Sequence, residues 1–189
     1  MSITQFTVKL FLFTILAIAI ITPFSGFIQP HIEYIDRPVP VRMAPRGVGE
    51  IIAAASQKSG VPSILIRAII EQESAGDNTA VKFEPHHLNR VPARITHPDK
   101  RRMYASSIGL MQVMAWHLFT LLPDRDYTAL YDPEINIAMG TRILSDCMKR
   151  HAGKPPTQQY RSALVCYNGS DVYAEEVLER IGLMALTAS

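Results

Sequence analysis

A nearly uncharged apolar run from Leu10 to Ile28, 19 residues long, sets the first limit on how this chain can fold. Such a run is long enough to cross a hydrocarbon core, provided the polar break Thr22-Pro23-Phe24-Ser25 is accommodated. It has no polar face, which argues against a buried core helix at the N-terminus. A cleaved export signal would need small residues at its processing site. Neither Pro23-Phe24-Ser25 nor Phe24-Ser25-Gly26 supplies them, so the reading favours an uncleaved anchor within residues 1–28. Lys9 on one flank and Arg37, Arg42 and Arg46 on the other bias the topology weakly against export of the body. No cysteine lies near the end of the run to carry a lipid. Prolines at 30, 38, 40 and 45 then mark residues 29–47 as an extended spacer that would hold the body off a membrane. One compact domain must therefore be built from residues 48–189.

Lys and Arg exceed Asp and Glu by two over the whole chain. Lys9, Arg37, Arg42 and Arg46 against Glu33 and Asp36 account for that excess, so the body is formally neutral. It lacks the broad basic footprint of a nucleic-acid binder, although His86 to Arg102 is locally basic. Cys147 and Cys166 are the only cysteines. In an exported domain they permit one disulfide without requiring it, and two buried free thiols are an equal alternative. Neither has metal-ligand spacing, and no cofactor motif is present.

Helical periodicity predicts helices over Val48–Ser59, Pro62–Glu73, Leu110–Leu122, Pro133–His151, Gln159–Tyr167 and Asp171–Leu186. Gly60 closes the first and Pro62 opens the second, making a tight pair. No alternating pattern predicts a sheet. The body reads as mainly α. Ala75 to Ser107, rich in His, Pro and Arg, is longer than an idle connection and reads as a functional loop.

At about 100° per residue, the second helix separates its two glutamates. Ile64, Leu65, Ile66, Ala68, Ile69 and Ile70 define an apolar arc, and Gln72 and Glu73 project within it. Glu71 falls outside the arc, four residues from Arg67, where a solvated ion pair is expected. A carboxyl on an apolar arc resists ionisation, and this is the environment a general acid needs near neutral pH. The alternative is a helix that ends at Glu73 and leaves the carboxyl in water.

Three segments in order, Glu73-Ser74, Gly109-Leu110-Met111-Gln112 and Cys166-Tyr167-Asn168-Gly169, resemble the motif set of soluble lytic transglycosylases and goose-type lysozymes. The resemblance runs from about Val48 to the C-terminus. Phe83-Glu84-Pro85-His86-His87 further resembles the phage-associated and bacterial muramidase-like branch. The family implies a mainly α, lysozyme-like domain of the α+β superfamily acting on peptidoglycan glycan strands. It implies Glu73 as acid and then base, Ser74 as a buttress of the helix end, and Met111 and Gln112 lining sugar subsites. Tyr167 and Asn168 would face the carboxyl, with Tyr173 a further candidate.

The chain departs from the family in one place. Where a serine is usual before the Gly-x-Met-Gln turn, Lys82-Phe83-Glu84 and an insertion intervene, and Ser106 or Ser107 would have to substitute. Glu84, or Asp99, then becomes a candidate second carboxylate for hydrolysis by water. Alternatively, Glu84 holds the loop through His86 or Arg90. His86, His87 and His97 do not suit a metal, because adjacent histidines point apart and a fourth ligand is missing. With Arg90, Arg94, Lys100, Arg101 and Arg102 they would meet stem-peptide carboxylates or stay solvated. Membrane attachment through residues 10–28, facing the periplasm or cell wall, or association with a phage virion, fits a wall-cleaver serving a phage particle, a secretion apparatus or wall turnover. The muramidase-like segment at 83–87 tilts the reading toward a phage. The competing class is a non-catalytic wall-binding assembly protein that keeps the fold.

Overall fold

In the computed structural model, which describes residues 45–187, the segment predicted to be helical from Pro62 forms a central helix. The first helix, α1 (Pro45–Ser59), begins three residues inside the expected spacer, because proline fits the first helical turn, where no N–H partner is needed. Gly60, at φ +73°, turns the chain into α2 (Ser63–Ser74). On α2 the residues Leu65, Ile66, Ala68, Ile69 and Ile70 are buried, while Arg67 and Glu71 are exposed. The expected Arg67–Glu71 ion pair is not formed: no such pair exists among the described residues. Two exposed charges gain too little from pairing to offset the ordering of their side chains.

The segment after α2 is organised where sequence predicted a loop. It contains β1 (Val81–Phe83), a 3-10 helix (Pro85–Arg90), α3 (Pro98–Tyr104) and β2 (Ser106–Ile108). The predicted helix over Leu110–Leu122 is also replaced. A turn at 109–112 leads to β3 (Val113–Met114), a 3-10 turn (Ala115–His117) and the single-turn α4 (Leu118–Leu121). The three strands form an antiparallel meander, with Val81 opposite Ile108 opposite Val113, and Lys82 opposite Ser107 opposite Met114. These strands are too short to show alternation, and Ser106, Ser107 and Ile108 are all buried. Pairing across the chain, not local propensity, makes the sheet.

Three further helices complete the body: α5 (Pro133–Arg150), α6 (Pro156–Asn168) and α7 (Asp171–Thr187). Asp132 caps α5 by accepting from the Glu134 and Ile135 amides at 2.8 and 3.1 Å. The core gathers Val61, Leu65, Ile66 and Ile69 with Ile108, Leu110, Ile137, Leu144, Leu164 and Val177. The architecture is mainly α, as the periodicity and the resemblance implied, with one small sheet that periodicity did not predict. Among the described residues no helix is long and apolar enough to cross a membrane. The expected anchor in 1–28 and most of the spacer lie outside the described residues.

Cys147 of α5 and Cys166 of α6 form a disulfide, resolving the alternative in favour of pairing. The two residues are 19 apart in sequence. A closed loop of about that length restricts the unfolded chain enough to stabilise the fold by roughly 3 kcal/mol. Reducing the purified protein is expected to lower its Tm by roughly 6–12 °C, at about 2–4 °C per kcal/mol for a domain near this size. Calorimetry with and without reductant checks this, and an unchanged Tm would refute it.

Candidate active site

The C-terminus of α2, the sheet and the ends of α6 and α7 converge on a cleft of about 490 Å3. Because side chains alternate along strands, Lys82, Ser107 and Met114 share one sheet face, and all three line this cleft. Glu84 follows two residues after Lys82 and lines it too. Gly169, at φ +90°, ends α6 by donating its amide to Val165 O at 2.7 Å. That termination sets Asn168 on the cleft wall, with Tyr173 of α7 beside it.

Glu73 lies among these groups, partly buried. Burial is the main influence on its carboxyl and raises its pKa; Tyr173 and Asn168, as hydrogen-bond donors, and the charge of Lys82 pull the other way, and Glu84 adds a smaller upward push. The balance remains upward. This is the environment expected of a proton donor working near neutral pH. Tyr173 itself is pushed far up by burial, so its phenol stays protonated. Its Oη is buried with no partner other than the Glu73 carboxyl, which it faces as a donor.

The other expected residues divide by what their polar atoms do. Ser74 Oγ donates to Leu110 O at 2.9 Å, tying the end of α2 to the 109–112 turn. Ser107 donates to Gln112 Oε1 at 2.9 Å. Gln112 Nε2 donates to Gly109 O at 2.9 Å and Ala80 O at 3.1 Å, so this amide braces the turn while lining the cleft. Its φ of +44° is one of two positive values at non-glycine residues in the described chain. Such a conformation persists only where the surroundings impose it. Tyr167 Oη donates to Met111 O at 2.8 Å and is consumed by that contact. The phenol expected to face Glu73 is therefore Tyr173 more than Tyr167.

Met111 requires correction. Its side chain is fully buried, and a methyl at Gly140 would meet its sulfur at 2.6 Å, so it packs against α5 and does not line a sugar subsite. Glu84 makes an ion pair with Lys82 at 2.7 Å and approaches His86 at 3.8 Å, so it holds the loop through lysine and histidine and not through Arg90. Asp99 approaches His97 at 3.9 Å and is not among the cleft residues.

Two residues escaped the sequence reading. Asn136 is fully buried on α5, donating to Ile108 O at 2.7 Å and Leu130 O at 2.8 Å, and accepting from the Met111 amide at 2.8 Å. Gly109, at φ +77°, is required beneath it, since a Cβ there would lie 2.5 Å from Leu130 O. The available signal was a polar residue on the apolar face of a predicted helix. Gln72 was placed on the arc without a role, and its side chain donates to Glu176 at 2.7 Å, joining α2 to α7.

A larger concavity, about 710 Å3, lies between α1, α5 and Leu121–Leu122. Its carboxylates, Glu134 and Asp146, are both exposed, and Asp146 is paired with Lys149 at 3.4 Å. The smaller cleft, which holds Glu73, is the candidate site.

A helical domain that presents one desolvated carboxylic acid at a helix end, across from amide and phenol donors, has the arrangement that a general acid for glycoside cleavage needs. The transglycosylase SLT domain model matches residues 50–180, most of the body, and the chain belongs to that family. It is thus a transglycosylase-type enzyme with peptidoglycan as its substrate. No curated protein and no solved structure matches the chain.

Proposed function

We propose that this chain cleaves the glycosidic bond between N-acetylmuramic acid and N-acetylglucosamine as a lytic transglycosylase, leaving 1,6-anhydro-muramic ends. The observation that carries the reading is the partly buried Glu73 carboxyl, its pKa raised by desolvation, in a cleft whose other carboxylate, Glu84, is ion-paired with Lys82. Glu73 gives its proton to the departing glycosidic oxygen as the bond to C1 breaks. The C6 hydroxyl of the same muramic acid then bonds to C1, and its proton passes to the Glu73 carboxylate. One carboxyl completes the cycle. Asn168 and Tyr173 hold that carboxyl, and substrate distortion supplies what acid–base catalysis alone does not.

Hydrolysis is the second reading, favoured by the fact that Glu84 shares the cleft and bears electrostatically on Glu73. Mass spectrometry of peptidoglycan digested in isotopically heavy water separates the two. Anhydro-muramic ends support the transglycosylase, whereas reducing ends carrying solvent oxygen transfer the assignment to a muramidase.

The cleavage rate is also expected to fall as pH rises through the raised pKa of Glu73, because only the protonated acid can donate. The falling limb of kcat/KM against pH should therefore lie above the ordinary carboxylate range. A limb within that range would remove Glu73 as the acid.

Tethering through residues 10–28 on the wall side of a membrane would confine cutting to a local hole, as a phage particle or secretion apparatus requires. Full wall-lytic activity in solution after deletion of residues 1–46, with loss of that activity's membrane association, is the expected result.

A further inference from the structure

We propose that Arg90, laid on Trp116 beside His87 and His117, forms a carboxylate-binding subsite for the stem peptides carried by the glycan strand. This rests on reading the cleft as the place where peptidoglycan is cut.

The residues from Lys82 to Tyr104 hold six of the chain's Lys and Arg side chains against only Glu84 and Asp99, so positive charge concentrates in a formally neutral body. Two of those six side chains are held by polar partners within the fold. Lys82 is paired with Glu84 at 2.7 Å. Arg101 donates to the Leu88, Pro92 and Ile95 carbonyls and holds the insertion together. Arg102 and Arg94 lie over the rings of Phe83 and Phe119, which are not among the cleft residues.

Arg90 differs by its position. Its guanidinium sits 5.5 Å from the Trp116 ring centre, and Trp116 stacks on His117 at 3.7 Å and approaches His87 at 6.1 Å. Both histidines line the catalytic cleft. Arg90 is exposed, and among the described residues it has no carboxylate within ion-pair distance. A cation–π contact leaves the guanidinium N–H groups free, and that fork matches a carboxylate. Trp116 Nε1 is a further buried donor without a partner.

The neighbouring histidines sharpen the assignment. Burial, with the charges of His87 and Arg90, lowers the His117 pKa to about 4, and burial with His86 lowers that of His87. Near neutral pH both are uncharged, so the cation at this end of the cleft is Arg90. The sugar hydroxyls and acetamido groups of the strand are neutral. The strand's anionic groups within reach of such a rim are the carboxylates of the peptides that rise from muramic acid.

The test uses soluble, uncross-linked glycan strands with intact stem peptides, compared with the same strands after chemical amidation of their carboxyls. The full-length protein is expected to show about a tenfold higher kcat/KM on the carboxylate-bearing strands, the size of one charge-assisted hydrogen bond at a partly exposed site. Arg90→Gln should bring that ratio close to one, while Arg94→Gln should preserve it. Because each variant is read as a ratio, a general loss of folded enzyme cancels. Equal rates for the unsubstituted protein on both substrates, or a ratio that survives Arg90→Gln, would overturn the proposal. A ratio lost equally in Arg94→Gln would replace the subsite with diffuse attraction. Cleavage of neither strand would instead refute the catalytic reading beneath it.

Discussion

Glu73→Gln is expected to lower peptidoglycan cleavage by a factor of about 10² to 10⁴, the usual contribution of a positioned acid and base, while Glu71→Gln changes it by no more than about twofold. The two positions are two residues apart, but about 200° apart around α2. Glu71 is exposed, whereas Glu73 is drawn into the cleft, and burial holds its carboxyl above the ordinary range. Glutamine keeps the shape and can still bond Asn168 and Tyr173, so what is lost is the transferable proton. Equal losses at both positions would sink the placement.

The same substitution has a stability consequence of opposite sign. A carboxyl whose folded pKa is raised contributes its full stability below the unfolded value, and that contribution is lost as pH rises through the folded value. The glutamine variant is therefore expected to melt above the parent protein at pH 7 and level with it near pH 4. A lower Tm for the variant at pH 7 would show that ionised Glu73 is stabilised by its neighbours more than it is disfavoured by burial.

Asn136→Ala is expected to cost about 3 kcal/mol, because one buried amide and two buried carbonyls lose their partner together. At about 2–4 °C per kcal/mol, Tm should fall roughly 6–12 °C. Activity of the folded fraction should fall as well. Asn136 fixes the 109–112 turn, on which Ser74 braces the catalytic helix and where Gln112 holds its positive φ. Asn136→Asp should not rescue either property, since it would set a carboxylate against the Ile108 and Leu130 carbonyls. Rescue by aspartate would mean that only the bond accepted from Met111 matters.

Legibility followed the range of the forces involved. The α2 wheel identified its buried residues, with Ile64 only half-buried, and separated Glu73 from Glu71, because a helix presents its periodicity within one local segment. The helix predicted to end at Tyr167 ends at Asn168, where Gly169 takes the left-handed cap. The segment Leu110–Leu122 misled for the complementary reason. Its apolar spacing resembles a helix, but Gly109 and Gln112 take left-handed conformations and Val113 pairs with Ile108 on another strand. Those pairings depend on residues distant in the chain.

The sequence by itself determined the helical body, the family to which the chain belongs and the choice of Glu73 as the proposed acid. Each rests on local periodicity or on short ordered motifs. Tertiary structure alone decided that Met111 is core, that Tyr167 is consumed by the Met111 carbonyl while Tyr173 remains available to Glu73, and that Glu84 is paired with Lys82. These outcomes depend on which polar atoms meet across the fold, because a donor or a charge satisfied by one neighbour is withdrawn from another.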